Sequence, residues 1–244
     1  MGDQHSNIFA RPDDWFSQDF ATRWDHSNSI PKYSRDLYLK MLIESILFYY
    51  KRGTYVLDCG IGSGLVEESL FLRRHDLKIV GLDYSAVMLD LCRKRLAPYL
   101  NRCTLIKESL ENINQMDFEA YPVSVVIAVQ VVHHLTDSHK RQMFQKVRST
   151  LGDGGIFLLV DRFSIEEKKF FGIYEAALGV VSKSVWGKAP TPLSRHSSDV
   201  KSKLDHASAL LDGVKMLNEC GFDCACVDVT IDRAFLAAVP RPLT

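Results

Sequence analysis

Three things are scarce in this sequence: net charge, long apolar runs and cysteine patterns that could hold a metal. Lys plus Arg and Asp plus Glu number 30 each in 244 residues, and the isoelectric point is near 7.1. A chain without net charge has no field to draw it to nucleic acid or an anionic membrane, so a small, uncharged or mildly polar substrate is favoured over RNA. The basic runs Arg73-Arg74 and Arg93-Lys94-Arg95 fall on expected helices and read as solvated faces. No apolar run is long enough to cross a bilayer. Residues 1–7 lack the basic and apolar parts of a secretory signal, so a cytoplasmic location is expected. Of the six cysteines, Cys220, Cys224 and Cys226 have spacings that match no zinc site, while Cys59, Cys92 and Cys103 fall in or beside expected core elements. No metal is expected.

What is present is a globular mix, 46% hydrophobic and 25% charged, arranged as strand-like apolar runs alternating with amphipathic stretches. Strands are expected at residues 55–58, 78–83, 104–107, 124–129, 156–160, 224–231 and 235–239. The first five are near-continuously apolar, as a sheet covered on both faces requires. The last two are joined by so short a link, around Asp232-Arg233-Ala234, that only a hairpin fits. The expected fold is therefore α/β: a seven-stranded, mostly parallel sheet whose last strand is antiparallel, with helices on both faces. Crossover helices are expected over residues 63–75, 85–100, 137–151 and 207–220, the last closed by Gly221.

Two segments stand outside this repeat. Residues 1–52 read as an N-terminal arm and cap: Trp15, Phe16, Phe20 and Trp24 at helical spacing, then an amphipathic helix over 31–50 with Pro31 in its first turn. The remaining domain, 53–244, carries an insertion at about 164–205 after the fifth strand, where a lid over a ligand crevice is expected.

The segment from Val56 to Gly64, Val-Leu-Asp-Cys-Gly-Ile-Gly-Ser-Gly, ends a strand, turns on glycines at alternate positions and enters a helix. Gly60, Gly62 and Gly64 would let a ligand approach the backbone where a Cβ would collide. Asp83 ends the next strand, 19 residues after Gly64. A carboxylate there accepts hydrogen bonds from both hydroxyls of a ribose. The GxGxG spacing, with Asp58 before it, suits a ligand bearing an ammonium rather than the pyrophosphate of a dinucleotide.

This segment resembles motif I of class I, Rossmann-like S-adenosylmethionine-dependent methyltransferases of the small-molecule type. The stretch from Val125 to Leu135, ending His-His-Leu, is similar to their fourth strand, and Gly154-Gly155 to the turn opening their fifth. The resemblance implies S-adenosyl-L-methionine as cofactor, held by Tyr33, Asp58, Gly60, Gly62, Gly64, Asp83, Tyr84, Met88, Ser109, Leu110 and Gln130. Tyr33 is included because Ile30-Pro31-Lys32-Tyr33 resembles a cap of the family that includes carboxy-S-adenosylmethionine synthase. In the position of the usual adenine-contacting acid stands Glu108-Ser109. Direct in-line methyl transfer to a small molecule, such as a secondary metabolite, is the implied activity. A synthase of that related kind, a tRNA-modifying enzyme and a non-catalytic cofactor-binding protein stand as alternatives.

For chemistry, His133 follows the fourth strand at the edge where open α/β sheets bind ligands, and is the candidate catalytic base. Successive side chains of an extended segment diverge, which points His134 away from it. Trp15, Trp24, His134, Asp161, Arg162 and His196 are the candidate contacts to the substrate. A monomer or homodimer is expected.

Overall fold

The computed structural model describes residues 12–29, 33–165, 168–181, 206–230 and 232–242. In chain order the elements are α1 (Gln18–Ser29), α2 (Tyr33–Tyr49), β1 (Tyr55–Cys59), α3 (Leu65–Arg73), β2 (Ile79–Asp83), α4 (Ala86–Arg95), β3 (Cys103–Lys107), β4 (Val123–Val129), α5 (Asp137–Thr150), β5 (Leu151–Arg162), α6 (Phe171–Val181), α7 (Leu210–Glu219), β6 (Phe222–Thr230) and β7 (Arg233–Pro240). A 3-10 turn, Pro12–Phe16, precedes α1.

The strands form one seven-stranded sheet in the order β3-β2-β1-β4-β5-β7-β6. Pairing from β3 to β5 is parallel, and β7 runs antiparallel to both β5 and β6. The expected seven-stranded α/β sheet with an antiparallel last strand is what is found. The hairpin connection puts β7 between β5 and β6, leaving β6 on the edge.

Alternation along each strand divides the core in two. Leu57, Val126, Phe157 and Leu236 pack with Phe144 of α5 and Leu217 of α7. Val56, Ile79, Ile127 and Leu158 pack with Leu42 and Ile46 of α2, Phe71 of α3 and Leu89 of α4. Both faces are covered, which is why the central strands are apolar at most positions.

Most element starts shift by one to three residues from the sequence expectation, and two shifts have a visible cause. α3 begins at Leu65 rather than 63, because Gly64 adopts φ +78° and serves as N-cap without a side-chain bond. β5 begins at Leu151, which pairs with Val123, and only then rejoins the ladder at Ile156 opposite Val125. Gly154, at φ +66°, takes up the irregularity between them. The final helix ends as expected, with Gly221 left-handed at φ +89°.

Candidate cofactor and acceptor site

The site lies along the carboxyl edge of β1, β2, β4 and β5, where parallel strands deliver chain turns to one crevice. The glycine loop and Asp83 are joined directly: Gly62 N–H donates to Asp83 Oδ2 and Ser85 N–H to Asp83 Oδ1, both at 2.9 Å. Burial pushes the Asp83 carboxyl up, against the pull of these two amides. The three glycines do different jobs. A Cβ at Gly60 would meet Val131 at 2.9 Å, and one at Gly64 would meet Cys92 Sγ at 2.9 Å. Packing within the protein therefore demands glycine there. Only at Gly62 would a Cβ meet nothing closer than Met88 Cε at 3.4 Å, leaving open space beside the backbone.

Asp58 and Glu67 form a buried acidic pair that the motif reading missed in half. Asp58 is 2% exposed and Glu67 is 1% exposed. Asp58 Oδ1 and both Glu67 oxygens have no hydrogen-bond partner. Burial first, then the neighbouring Glu67, push the Asp58 carboxyl well up; burial also raises Glu67. A raised acid favours folding most below its unfolded pKa of about 4.3, and that contribution is lost as pH rises through the folded value. Replacing Glu67 by Gln removes the loss. Glu67→Gln is expected to raise the melting temperature at pH 8, by about 1 kcal/mol of stability, and to lose that advantage towards pH 4. Scanning calorimetry at the two pH values checks this, and a variant less stable at pH 8 would refute it.

The N-terminal arm is tied over the loop. Arg95 of α4 holds Asp25 of α1 through Nη1 at 3.0 Å and Nη2 at 2.9 Å, and its Nη1 also donates to the Ser63 carbonyl at 2.6 Å. Ser63 Oγ donates to Asp25 Oδ1 at 2.5 Å instead of capping α3. Ser85 Oγ donates to the Trp15 carbonyl at 2.5 Å, and Phe16 meets Tyr84 edge-on at 5.4 Å. Trp15 in turn packs edge-on against Phe20 and Trp24, each at 5.2 Å. Trp15 and Trp24 thus belong to a cluster that seats the arm. Tyr33 lies in the first turn of α2, its side chain outside the described residues.

On the far side of Asp83, Ser109 Oγ accepts from the Glu111 amide as a cap, and Leu110 is buried. Glu108 Oε1 accepts from Ser109 N–H and from Asn112 Nδ2, both at 2.9 Å. Both residues are therefore already engaged locally.

At the end of β4, Gln130 has φ +55°, the one positive value among described non-glycine residues. Such a conformation costs about 1 kcal/mol or more and collects at functional sites. Its N–H is spent on the Val160 carbonyl at 2.8 Å, while its Nε2 is buried with no partner. Next come His133 and Asp161, both buried. The His133 backbone N–H donates to Asp161 Oδ2 at 2.9 Å, and His133 Nδ1 lies 2.5 Å from Asp161 Oδ1. Burial alone would push the Asp161 carboxyl up, but the adjacent His133 imidazole outweighs it and holds Asp161 below its usual range. His134 does not diverge from His133. Residues Val132–His134 form a 3-10 turn rather than extended chain, and the two rings stand 4.1 Å apart.

The insertion's two ends are fastened beside this dyad. Ser164 bridges to Ala209, and His206 N–H donates to the His133 carbonyl at 2.7 Å. Lys140 of α5, buried, donates to Asp137, to Ser208 Oγ and to the His206 carbonyl. Of the insertion, residues 166–167 and 182–205, including His196, lie outside the described residues. Sequence reasoning missed Asp25, Glu67, Arg95 and Lys140. Each is a charged residue on an amphipathic helix, where an exposed position is the ordinary expectation.

Residues 56–155 match the family model described as a methyltransferase domain. Among curated proteins, the carboxy-S-adenosyl-L-methionine synthase of Campylobacter lari is 24% identical over 153 residues, 61% of this chain and 62% of that one. The synthase of Campylobacter fetus is 27% identical over 59% of this chain and 58% of its own. The chain thus spans about three-fifths of the length of these relatives. Among solved structures, magnesium protoporphyrin IX methyltransferase from Synechocystis with bound SAH superposes with a TM-score of 0.64 at 17% identity, covering 94% of this chain and 97% of that one. The S-adenosylmethionine-dependent methyltransferase SibL gives 0.59 at 18% identity, over 92% of this chain and 59% of its own. The fold is that of Rossmann-like methyltransferases.

Proposed function

We propose that this chain is an active methyltransferase, carrying a methyl group from S-adenosyl-L-methionine to a small-molecule acceptor at the carboxyl edge of β1, β2, β4 and β5. The observation that carries the reading is Asp83, locked to the glycine loop through the Gly62 amide. Each of its oxygens has accepted one backbone bond and keeps a lone pair for a ribose hydroxyl. The surrounding residues suit the same cofactor: Gly62 leaves space beside its backbone, Gln130 Nε2 is a buried donor awaiting an acceptor, and Asp58 Oδ1 is a buried acceptor awaiting a donor. The cofactor, when bound, supplies a methyl group already activated on a sulfonium sulfur. The chain's own residues then have to align the acceptor and exclude water. The described part of the N-terminal arm serves the second through its Asp25–Arg95 tether. His133, oriented by Asp161, takes the proton of a hydroxyl acceptor.

Calorimetric titration of S-adenosylmethionine, S-adenosylhomocysteine and NAD tests the cofactor. Micromolar binding of the first two and none of NAD is expected; preference for NAD would overturn the reading.

The names of the curated relatives favour a second reading, a carboxy-S-adenosylmethionine synthase. Mass spectrometry of nucleotide released from the purified protein separates the two, since only the synthase would carry a carboxylated cofactor.

A further inference from the structure

Asp58 lies at the end of β1, and Glu67 in the first turn of α3, just past the glycine loop. Helix side chains lean towards the helix N-terminus, which carries Glu67 back to the strand end, and the two carboxyls meet there. Asp58 Oδ1, Glu67 Oε1 and Glu67 Oε2 are shut from solvent with no hydrogen-bond partner among the described residues. Two carboxylates buried side by side cannot both stay ionised, and they bond to each other only through a proton. Beyond burial, which raises both, Glu67 pushes Asp58 up while Asp58 holds Glu67 down, as one proton divided between two groups requires.

The other groups that face the pair give it no donor. Asp83 of β2 adds a further negative charge. Cys59, Cys92 of α4 and Cys103 of β3 are thiols that burial pushes up and keeps neutral. Arg95 of α4 lowers Glu67 from nearby, but its bonds go to Asp25 and the Ser63 carbonyl, with Glu68 at 3.4 Å. One strand over, past the end of β4, Gln130 Nε2 is a buried donor with no acceptor. Acceptors without donors and a donor without an acceptor, on one sheet edge, are complementary to the ammonium and carboxylate of an amino acid.

We propose that Asp58 and Glu67 hold one proton between them in the empty protein and exchange it for the ammonium of the cofactor's amino acid, so that cofactor binding releases a proton to the solvent. An ammonium carries three N–H donors, one for each of the three unpartnered oxygens. It also brings the positive charge that lets both acids ionise. Read from the sequence, Asp58 alone meets this ammonium; Glu67 adds the second acid and the proton. Because the ligand favours the ionised pair, its affinity rises with pH across the range in which the empty pair keeps its proton. The proposal rests on the methyltransferase reading, and its test keeps the two apart.

S-adenosylhomocysteine and methylthioadenosine, which has the same nucleoside but no amino acid, are titrated calorimetrically into the full chain at pH 7 in phosphate and in Tris. These buffers differ in ionisation heat, so the difference in binding heat counts the protons released. Wild type is expected to release roughly half a proton or more per S-adenosylhomocysteine, and to bind it at least about fivefold more tightly at pH 7.5 than at pH 6. Methylthioadenosine should release none, which separates the pair from Asp83, the residue read as the ribose ligand, whose carboxyl burial also raises. Glu67→Gln keeps a donor towards Asp58 but has no proton to give up, so it should bind S-adenosylhomocysteine without release and with an affinity independent of pH. If methylthioadenosine binds too weakly to titrate, Glu67→Gln decides; if Glu67→Gln does not fold, the comparison of the two ligands in wild type decides. Binding of S-adenosylhomocysteine without proton release, equal release with methylthioadenosine, or release that survives in Glu67→Gln would overturn the proposal. Wild type that binds neither ligand would instead overturn the methyltransferase reading itself.

Discussion

His133→Ala is expected to lower the rate of methyl transfer to a hydroxyl acceptor by about a hundredfold to ten-thousandfold, the range for losing a positioned general base. Affinity for S-adenosylhomocysteine should stay near wild type. The expectation follows from the bonds around the ring. An ionised Asp161 can only accept, so the contact of 2.5 Å at Nδ1 requires the proton on that nitrogen. The other nitrogen, Nε2, is then the basic one. Asp161 is fixed in turn, because its two oxygens also take the backbone amides of His133 and Arg162. Asp161→Asn keeps the shape but offers a single acceptor oxygen for three donors, and should lower turnover more than it raises KM. A His133→Ala enzyme with wild-type turnover would leave the dyad a purely structural feature. Stability carries its own signature. Asp161 is depressed when folded, so its contribution is present above its unfolded pKa of about 3.9 and fades as pH falls through the lower folded value.

Asp83→Ala is expected to weaken S-adenosylmethionine binding by about a hundredfold, or roughly 3 kcal/mol, the loss of two hydroxyl bonds to a charged acceptor. The residue has a second task, since it anchors the amides of Gly62 and Ser85. Part of the loss therefore comes through the loop, whose Gly62 must lie against the ligand. A melting curve measured alongside the titration separates local damage from unfolding. If the variant stays folded and affinity drops less than threefold, the ribose is held by some other group.

Much of the architecture was legible in the sequence because it rests on local regularities. Alternating apolar runs and amphipathic stretches give a parallel sheet between helix layers, and a connection as short as Asp232-Arg233-Ala234 can only be a hairpin. The glycine loop and Asp83 could be read for a similar reason: they are strand-end residues whose neighbours in space are set by sheet order alone. Even there, two of the glycines have a packing reason that no local pattern shows. Gly60 and Gly64 are required by Val131 and Cys92, which are distant in sequence and become neighbours only when β4 and α4 pack on the loop.

His133 and Asp161 were each picked out by position, but separately, as base and substrate contact. Only the parallel pairing of β4 with β5 brings residues 28 apart within hydrogen-bond reach. The same holds for Asp25 with Arg95 and Ser63, and for Lys140 with the exit of the insertion. The sequence by itself determined the sheet, its order of helices and strands, and the place of a nucleotide-type crevice, because hydrophobic period and turn chemistry act over a few residues. The tertiary structure alone decided which charged groups are buried and what each one faces, because the energy of a buried charge depends on partners that the chain delivers from far away.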